Sequence, residues 1–163
     1  MNPDRFKSMI QNGTTTYWTG GAMKINSLIS GKKVETISPS ASVHDLVNML
    51  NTHHVGALVV SSDGNRIEGI VSERDVVRAM PGKLDRLINM HVRDLMTVVV
   101  ATCTADATIA ELMTMMTERR IRHVPVVDKD GALLSIVSIG DVVKAHISEI
   151  DSERQALQSY VTN

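Results

Sequence analysis

Arg-Arg-Ile-Arg-His-Val-Pro-Val-Val-Asp-Lys-Asp-Gly-Ala-Leu-Leu-Ser-Ile-Val-Ser-Ile-Gly-Asp, residues 119–141, decides how the chain folds. Its two short apolar runs, Val124–Val127 and Leu133–Val137, flank an Asp-Lys-Asp-Gly cluster, the pattern of two strands joined by a tight turn. A helix is expected to open at Ser138. The outer ends of a hairpin lie side by side, so Arg122 and His123 come to face Ser138 and Asp141 at that helix N-terminus. Cations opposite a hydroxyl and a carboxylate suit a ligand that carries both a phosphate and a sugar diol.

Moving outward, the same stretch occurs earlier. An offset of 66 residues lays Val34 on Val100, Leu46 on Leu112, Met49 on Met115 and Val60 on Val126. It also lays Ile70-Val71-Ser72 on Ile136-Val137-Ser138 and Asp75-Val76-Val77 on Asp141-Val142-Val143. With no gap, 13 of 46 pairs are identical, which marks an internal duplication.

Each copy parses alike. An extended lead-in (Val34–Ile37; Val99–Cys103) runs into a helix opened by Ser42 with Asp45, or by Thr108 with Glu111, both in capping-box spacing. Val43, Leu46, Val47 and Leu50, or Ile109, Leu112, Met113 and Met116, form one apolar stripe on that helix. A strand, a turn at Asp63-Gly64 or Asp130-Gly131, a second strand and a second helix opened by Ser72 or Ser138 complete a β-α-β-β-α unit. One unit has too few strands to bury a core alone, so an α/β (α+β) fold is predicted in which two tandem units pack as a pseudo-twofold pair. The boundaries expected are 1–22 as a flexible lead or a segment foreign to the native chain, 23–80 and 91–148 as the repeats, 81–90 as linker, and 149–163 as a helical tail. Ile147, Ile150, Leu157 and Val161 of that tail are available to pack back or to meet a second subunit.

The totals remove several functional classes. A net charge of −1 argues against a general phosphate-backbone binder, and no zinc-ligand spacing or helix-turn-helix pattern opposes that reading. One cysteine, Cys103, rules out an internal disulfide and fits a reducing cytoplasm. No apolar run reaches membrane-spanning length and the first residues lack a signal-peptide core, so no membrane partner is expected. Phe6, Tyr17, Trp18 and Tyr160 all lie near the termini, so a ring bound in the centre must rest on aliphatic side chains and backbone. Adjacent His53 and His54 point apart on a helix and make a poor metal pair, and no metal site is expected. Met113, Met115 and Met116 read as core filler.

Gly-Ile-Val-Ser-Glu-Arg-Asp at 69–75 and Ser-Ile-Val-Ser-Ile-Gly-Asp at 135–141, within the doubled β-α-β-β-α unit, resemble the CBS domain pair, or Bateman module. The resemblance covers about residues 23–150 and is strongest to stand-alone, single-pair bacterial proteins. It implies regulatory, non-catalytic binding of AMP, ADP, ATP or NAD between the repeats, with no catalytic cofactor. By the same resemblance Asp75 and Asp141 hold ribose hydroxyls, with Ser72 and Ser138 beside them at the helix starts. Adenine rests against the lead-in strands, near Thr36 and Ser38 in one repeat and Thr102 and Thr104 in the other. Arg122 and His123, with Arg120 and Arg74, stand where phosphate is contacted. A flat homodimer and a regulated protein partner are also implied.

Gly56 and Ala57 occupy the first repeat where the second has Arg122 and His123, and Gly140 stands where the first has Arg74. Two equal sites are therefore not expected. Either the site of Asp141 with Arg122 and His123 takes phosphate more tightly, or the contacts are shared across the cleft. Ser-x-x-Asp is also an ordinary capping box, and arginines near a helix C-terminus are also an ordinary solvated end. An enzyme is disfavoured for want of a nucleophile–base pair, and a dimeric adaptor with a vestigial cleft is the alternative to a nucleotide sensor.

Overall fold

The computed structural model describes residues 9–11, 14–16, 23–29, 34–81, 84–87 and 89–161. Strands β1 (Met9–Gln11) and β2 (Thr14–Thr16) pair antiparallel; the rest of the expected lead, residues 1–22, lies outside the described residues. The duplication then appears as two three-stranded sheets. The first orders β3 (Thr36–Ile37), β4 (Ala57–Val60) and β5 (Gly69–Ser72); the second orders β6 (Cys103–Thr104), β7 (His123–Val127) and β8 (Leu133–Ser138). In each, the lead-in strand runs parallel to the middle strand and the hairpin partner antiparallel. Asp128 and Asp63 accept backbone N–H bonds within the hairpin turns, where Gly64 (φ +74°) and Gly131 (φ +80°) take the left-handed conformation that a side chain disfavours.

Helix α1 (Val43–His53) begins at Ser42, whose hydroxyl accepts the Asp45 N–H while the Asp45 carboxylate accepts the Ser42 N–H. Thr108 and Glu111 repeat this at α4 (Ile109–Arg119). Both end in a non-glycine left-handed residue, His54 and Arg120, whose N–H groups close the last turn. The predicted stripes are buried through Val43, Leu46 and Leu50 and through Ile109, Leu112 and Met116, with Met113 half-buried. Val47 departs from the expectation and is exposed, because it lies at the rim of a stripe whose core side is already filled. Helix α2 (Glu73–Ala79) is short, whereas its counterpart α5 (Ile139–Val161) continues through the tail. Ile147, Ile150 and Leu157 on it face solvent in the single chain. No helix among the described residues is long and apolar enough to cross a membrane.

Two cores result, one per sheet, and neither is built from one contiguous repeat. Ile25, in the 3-10 turn Ile25–Leu28, is fully buried in the second core. Val92, in the 3-10 turn Val92–Asp94, and Leu87 of α3 (Leu84–Leu87) are buried in the first. The segment ahead of each repeat therefore caps the other. Its hydrogen bonds repeat too: Ile25 N–H to Ala107 O (2.9 Å), Asn26 N–H to Ala105 O (3.0 Å) and Ile109 N–H to Met23 O (3.0 Å) match Val92 N–H to Ala41 O (2.9 Å), Arg93 N–H to Pro39 O (3.0 Å) and Val43 N–H to Met90 O (3.1 Å). The residues expected as linker thus include side chains that the first core needs.

After Val92–Asp94 the chain crosses the first sheet's edge, where Ile70 and Thr97 exchange two backbone bonds of 3.0 and 2.9 Å. Gly69 permits this approach. A Cβ there lies 2.8 Å from Met96 Sδ and 3.0 Å from the Thr97 carbonyl oxygen, and that oxygen is held by Ile70. Gly69→Ala is expected to cost about 1–3 kcal/mol of unfolding free energy, the usual scale for overpacking, measured by denaturant titration. A variant as stable as the wild type would show that the edge relaxes freely.

Candidate functional site

The cleft between the repeats is built at three element ends. On one side α2 opens at Ser72, directly after β5. The Asp75 carboxylate accepts the Ser72 N–H (2.8 Å) and the Ser72 hydroxyl (2.6 Å), both on Oδ2. Its other oxygen is left for a further donor, and Ser72 and Asp75 are half-buried at the cleft wall. Arg74 and Arg78, one helical turn apart, project from the same helix into the lining.

On the opposite side α4 ends and β7 begins. Arg120 takes φ 54° and ψ 38°, and a side chain there costs of order 1 kcal/mol. The reversal brings Arg119, Arg120, Ile121, Arg122 and His123 to the cleft together. The third wall is Thr97 and Val99–Ala101, held beside the first sheet by the Ile70–Thr97 bridge. Val99 is 90% exposed, so an apolar, β-branched surface stands open next to the charged groups. The cleft volume is about 300 Å³, at the small end of the range for small-molecule sites.

Among the predicted residues, Ser72, Arg74, Asp75, Arg120, Arg122 and His123 meet in this cleft. Thr36, Ser38, Thr102, Thr104, Ser138 and Asp141 do not line it. Thr36 lies on β3, and the Ser38 hydroxyl is 2.9 Å from that of Ser40. Thr102 and Thr104 are exposed near β6. Ser138 and Asp141 form the matching cap at α5, with Oδ2 of Asp141 accepting the Ser138 N–H (2.9 Å) and hydroxyl (2.6 Å). Ser138 is the register partner of His123, but the cleft into which Arg122 and His123 open faces Asp75 of the other repeat. Sequence reasoning missed Arg78 and Thr97, and read Arg119 chiefly as a solvated helix end; the four-residue spacing from Arg74 was a usable signal for Arg78. Of the lead-in Val99–Cys103, expected beside a base, Val99, Val100 and Ala101 line the cleft.

His123 packs against Gly56, where an added Cβ lies 3.2 Å from the ring. Burial, and then the positive charge of Arg122, push its pKa below the ordinary histidine value; Glu73 and Asp141 partly oppose this. Cys103 is buried in the second core, where desolvation raises its thiol to about 11. It shares no site with the exposed His53 and His54, which belong to the first repeat.

A carboxylate with one oxygen outside its cap, a set of guanidinium groups and an aliphatic wall around one small cleft define a small-molecule binding module formed by a pair of repeats. The CBS domain family model matches residues 27–82 and 92–148, and the chain belongs to that family. The mitochondrial CBS domain-containing protein CBSX3 of Arabidopsis thaliana is 38% identical over 124 residues, 74% of this chain and 60% of its own length. Among solved structures, a CBS-domain containing protein from Agrobacterium tumefaciens is 37% identical with a TM-score of 0.72, covering 76% of this chain and 99% of its own. CBSX2 of Arabidopsis thaliana, solved in complex with AMP, is 28% identical with a TM-score of 0.66, covering 77% and 97%.

The lowered His123 pKa has a definite sign. Above about pH 6.5, the ordinary histidine value, neither folded nor unfolded chain holds the proton. Below it the unfolded chain is protonated first and the fold loses stability, until the folded imidazole titrates as well. Melting temperature is expected to fall between pH 7 and 5 more steeply for the wild type than for His123→Gln. Parallel curves would remove His123 from the acid response.

Proposed function

We propose that this chain is a regulatory module that binds an adenosine-containing ligand, AMP, ADP, ATP or NAD, between its repeats and performs no reaction on it. The observation that carries this reading is the meeting of Asp75, with one carboxylate oxygen free of its cap, and Arg120, Arg122 and His123 across one cleft. Asp75 receives ribose hydroxyls, the base lies on Ile70, Val99 and Val100, and phosphate turns toward the arginines. The AMP complex of the related CBSX2 supports the same ligand class. The Ser72 hydroxyl is occupied as a donor to Asp75, which suits orientation of a ligand rather than nucleophilic attack. Occupancy then ties α2 of one repeat to the α4–β7 turn of the other, and a protein partner reads the change.

Incubation with each nucleotide, followed by melting and product analysis, tests this. A ligand that binds only the native state adds about 2.7 kcal/mol at a hundred times its Kd, without product. Asp75→Ala is expected to weaken AMP and adenosine alike, since both present the diol. Unchanged melting at millimolar AMP, ADP, ATP and NAD refutes the sensor and leaves the adaptor.

The same reading includes a homodimer. Val77 and Val143, equivalent across the duplication, are exposed on α2 and α5 with Met80 and Ile147 beside them. A second copy covers this apolar face; a standard interface of ~1,600 Å² suffices. Val143→Glu then places an unpaired carboxylate in that interface and dissociates it. Sedimentation of the wild type as a monomer at micromolar concentration excludes the dimer, and a dimeric Val143→Glu excludes this face.

A further inference from the structure

We infer that the arginine-lined cleft is a polyphosphate site, selecting adenosine ligands with two or more phosphates over AMP and over uncharged adenosine derivatives. This rests on the nucleotide-binding reading above and names the ligand class within it. Five guanidinium groups, Arg74 and Arg78 from α2 and Arg119, Arg120 and Arg122 from the α4–β7 turn, line about 300 Å³ with one carboxylate, Asp75. Among the described residues, none of the five lies within ion-pair distance of a carboxylate; the ion pairs present are Lys24–Asp106, His91–Asp94 and His146–Glu149. The chain has carboxylates enough to do otherwise, with 18 Asp and Glu against 17 Lys and Arg. Like charges left unneutralised around one small volume repel each other, and an anion placed among them relieves that repulsion. A monophosphate, with a charge of about −2, leaves about half of the surplus uncompensated. Each further phosphate adds oxygens for the planar guanidinium fork to grip.

The duplication provides the internal control. At the offset of 66, Arg74, Arg78, Arg119, Arg120 and Arg122 correspond to Gly140, Lys144, His53, His54 and Gly56. One repeat pair supplied both sets of positions, yet the arginines lie in a single cleft. Gly56 lines that same cleft at the counterpart of Arg122, and a Cβ there lies 3.2 Å from the His123 ring, a close contact that favours a small residue beside His123.

The full chain is titrated calorimetrically with adenosine, AMP, ADP, ATP and tripolyphosphate, without divalent cations, at low and raised salt. ADP and ATP are expected to bind at least about tenfold more tightly than AMP, a difference of about 1.4 kcal/mol. That advantage shrinks with salt and in Arg78→Ala and Arg119→Ala, two exposed positions, while adenosine affinity is unchanged. The wild-type comparison of AMP with ATP stands without either variant. Equal affinity for AMP and ATP overturns the inference and leaves the nucleotide-binding reading intact. Tripolyphosphate binding as tightly as ATP overturns the selection of a nucleotide, and binding of no ligand overturns both.

Discussion

The exchange of two short segments, residues 23–29 and 89–96, is the constraint on which the rest of the molecule depends. A three-stranded sheet with a helix pair is too small to close its own core. Each repeat completes its core with the stretch that precedes the other: Ile25 enters the second and Val92 the first, both fully buried and both docked by the same triplet of backbone hydrogen bonds. Separating the repeats would expose these side chains and break six such bonds. The cleft between them is therefore held at a defined width, with walls of different repeats fixed relative to each other.

A second consequence follows from where the exchanged segment leads. After docking on the first core, residues 95–101 must return to begin the second sheet, and the Ile70–Thr97 bridge with the bare backbone of Gly69 steers them across the cleft. That route lays Val99, Val100 and Ala101 opposite the start of α2. Packing in the core thus supplies the cleft with a wall that has no aromatic residue, which is the surface that the aliphatic composition of the chain can offer.

The Ser-x-x-Asp motif sets one chemical device in two different surroundings. Asp45 and Asp75 both cap a helix by accepting the N–H and hydroxyl of a serine on one carboxylate oxygen. Neighbours alone separate them: Asp45 is exposed, while Asp75 is half-buried beside Arg74 and across from Arg122. The motif by itself carries no ligand information, because capping satisfies only part of a carboxylate's capacity to accept.

Repeats, hairpins, caps and the buried faces of α1 and α4 were legible in the residues because each depends on local spacing: a 66-residue offset, a turn glycine, a capping pair, a helical stripe. Arg122 and His123 were legible as candidates for the same reason, as polar residues at the mouth of an apolar strand. So was their neighbourhood within the hairpin: His123 stands in register with Ser138 and feels the charge of Asp141. Their approach to Asp75 across the cleft depends on the other repeat and was not legible in local spacing. The lead-in Val99–Cys103 was legible as a surface for a base, but that Val99–Ala101 rather than Thr102 line the cleft was not. Local rules determine what each element is, but which element ends face each other is decided by the exchange of segments between cores, and that exchange exists only in the assembled tertiary structure.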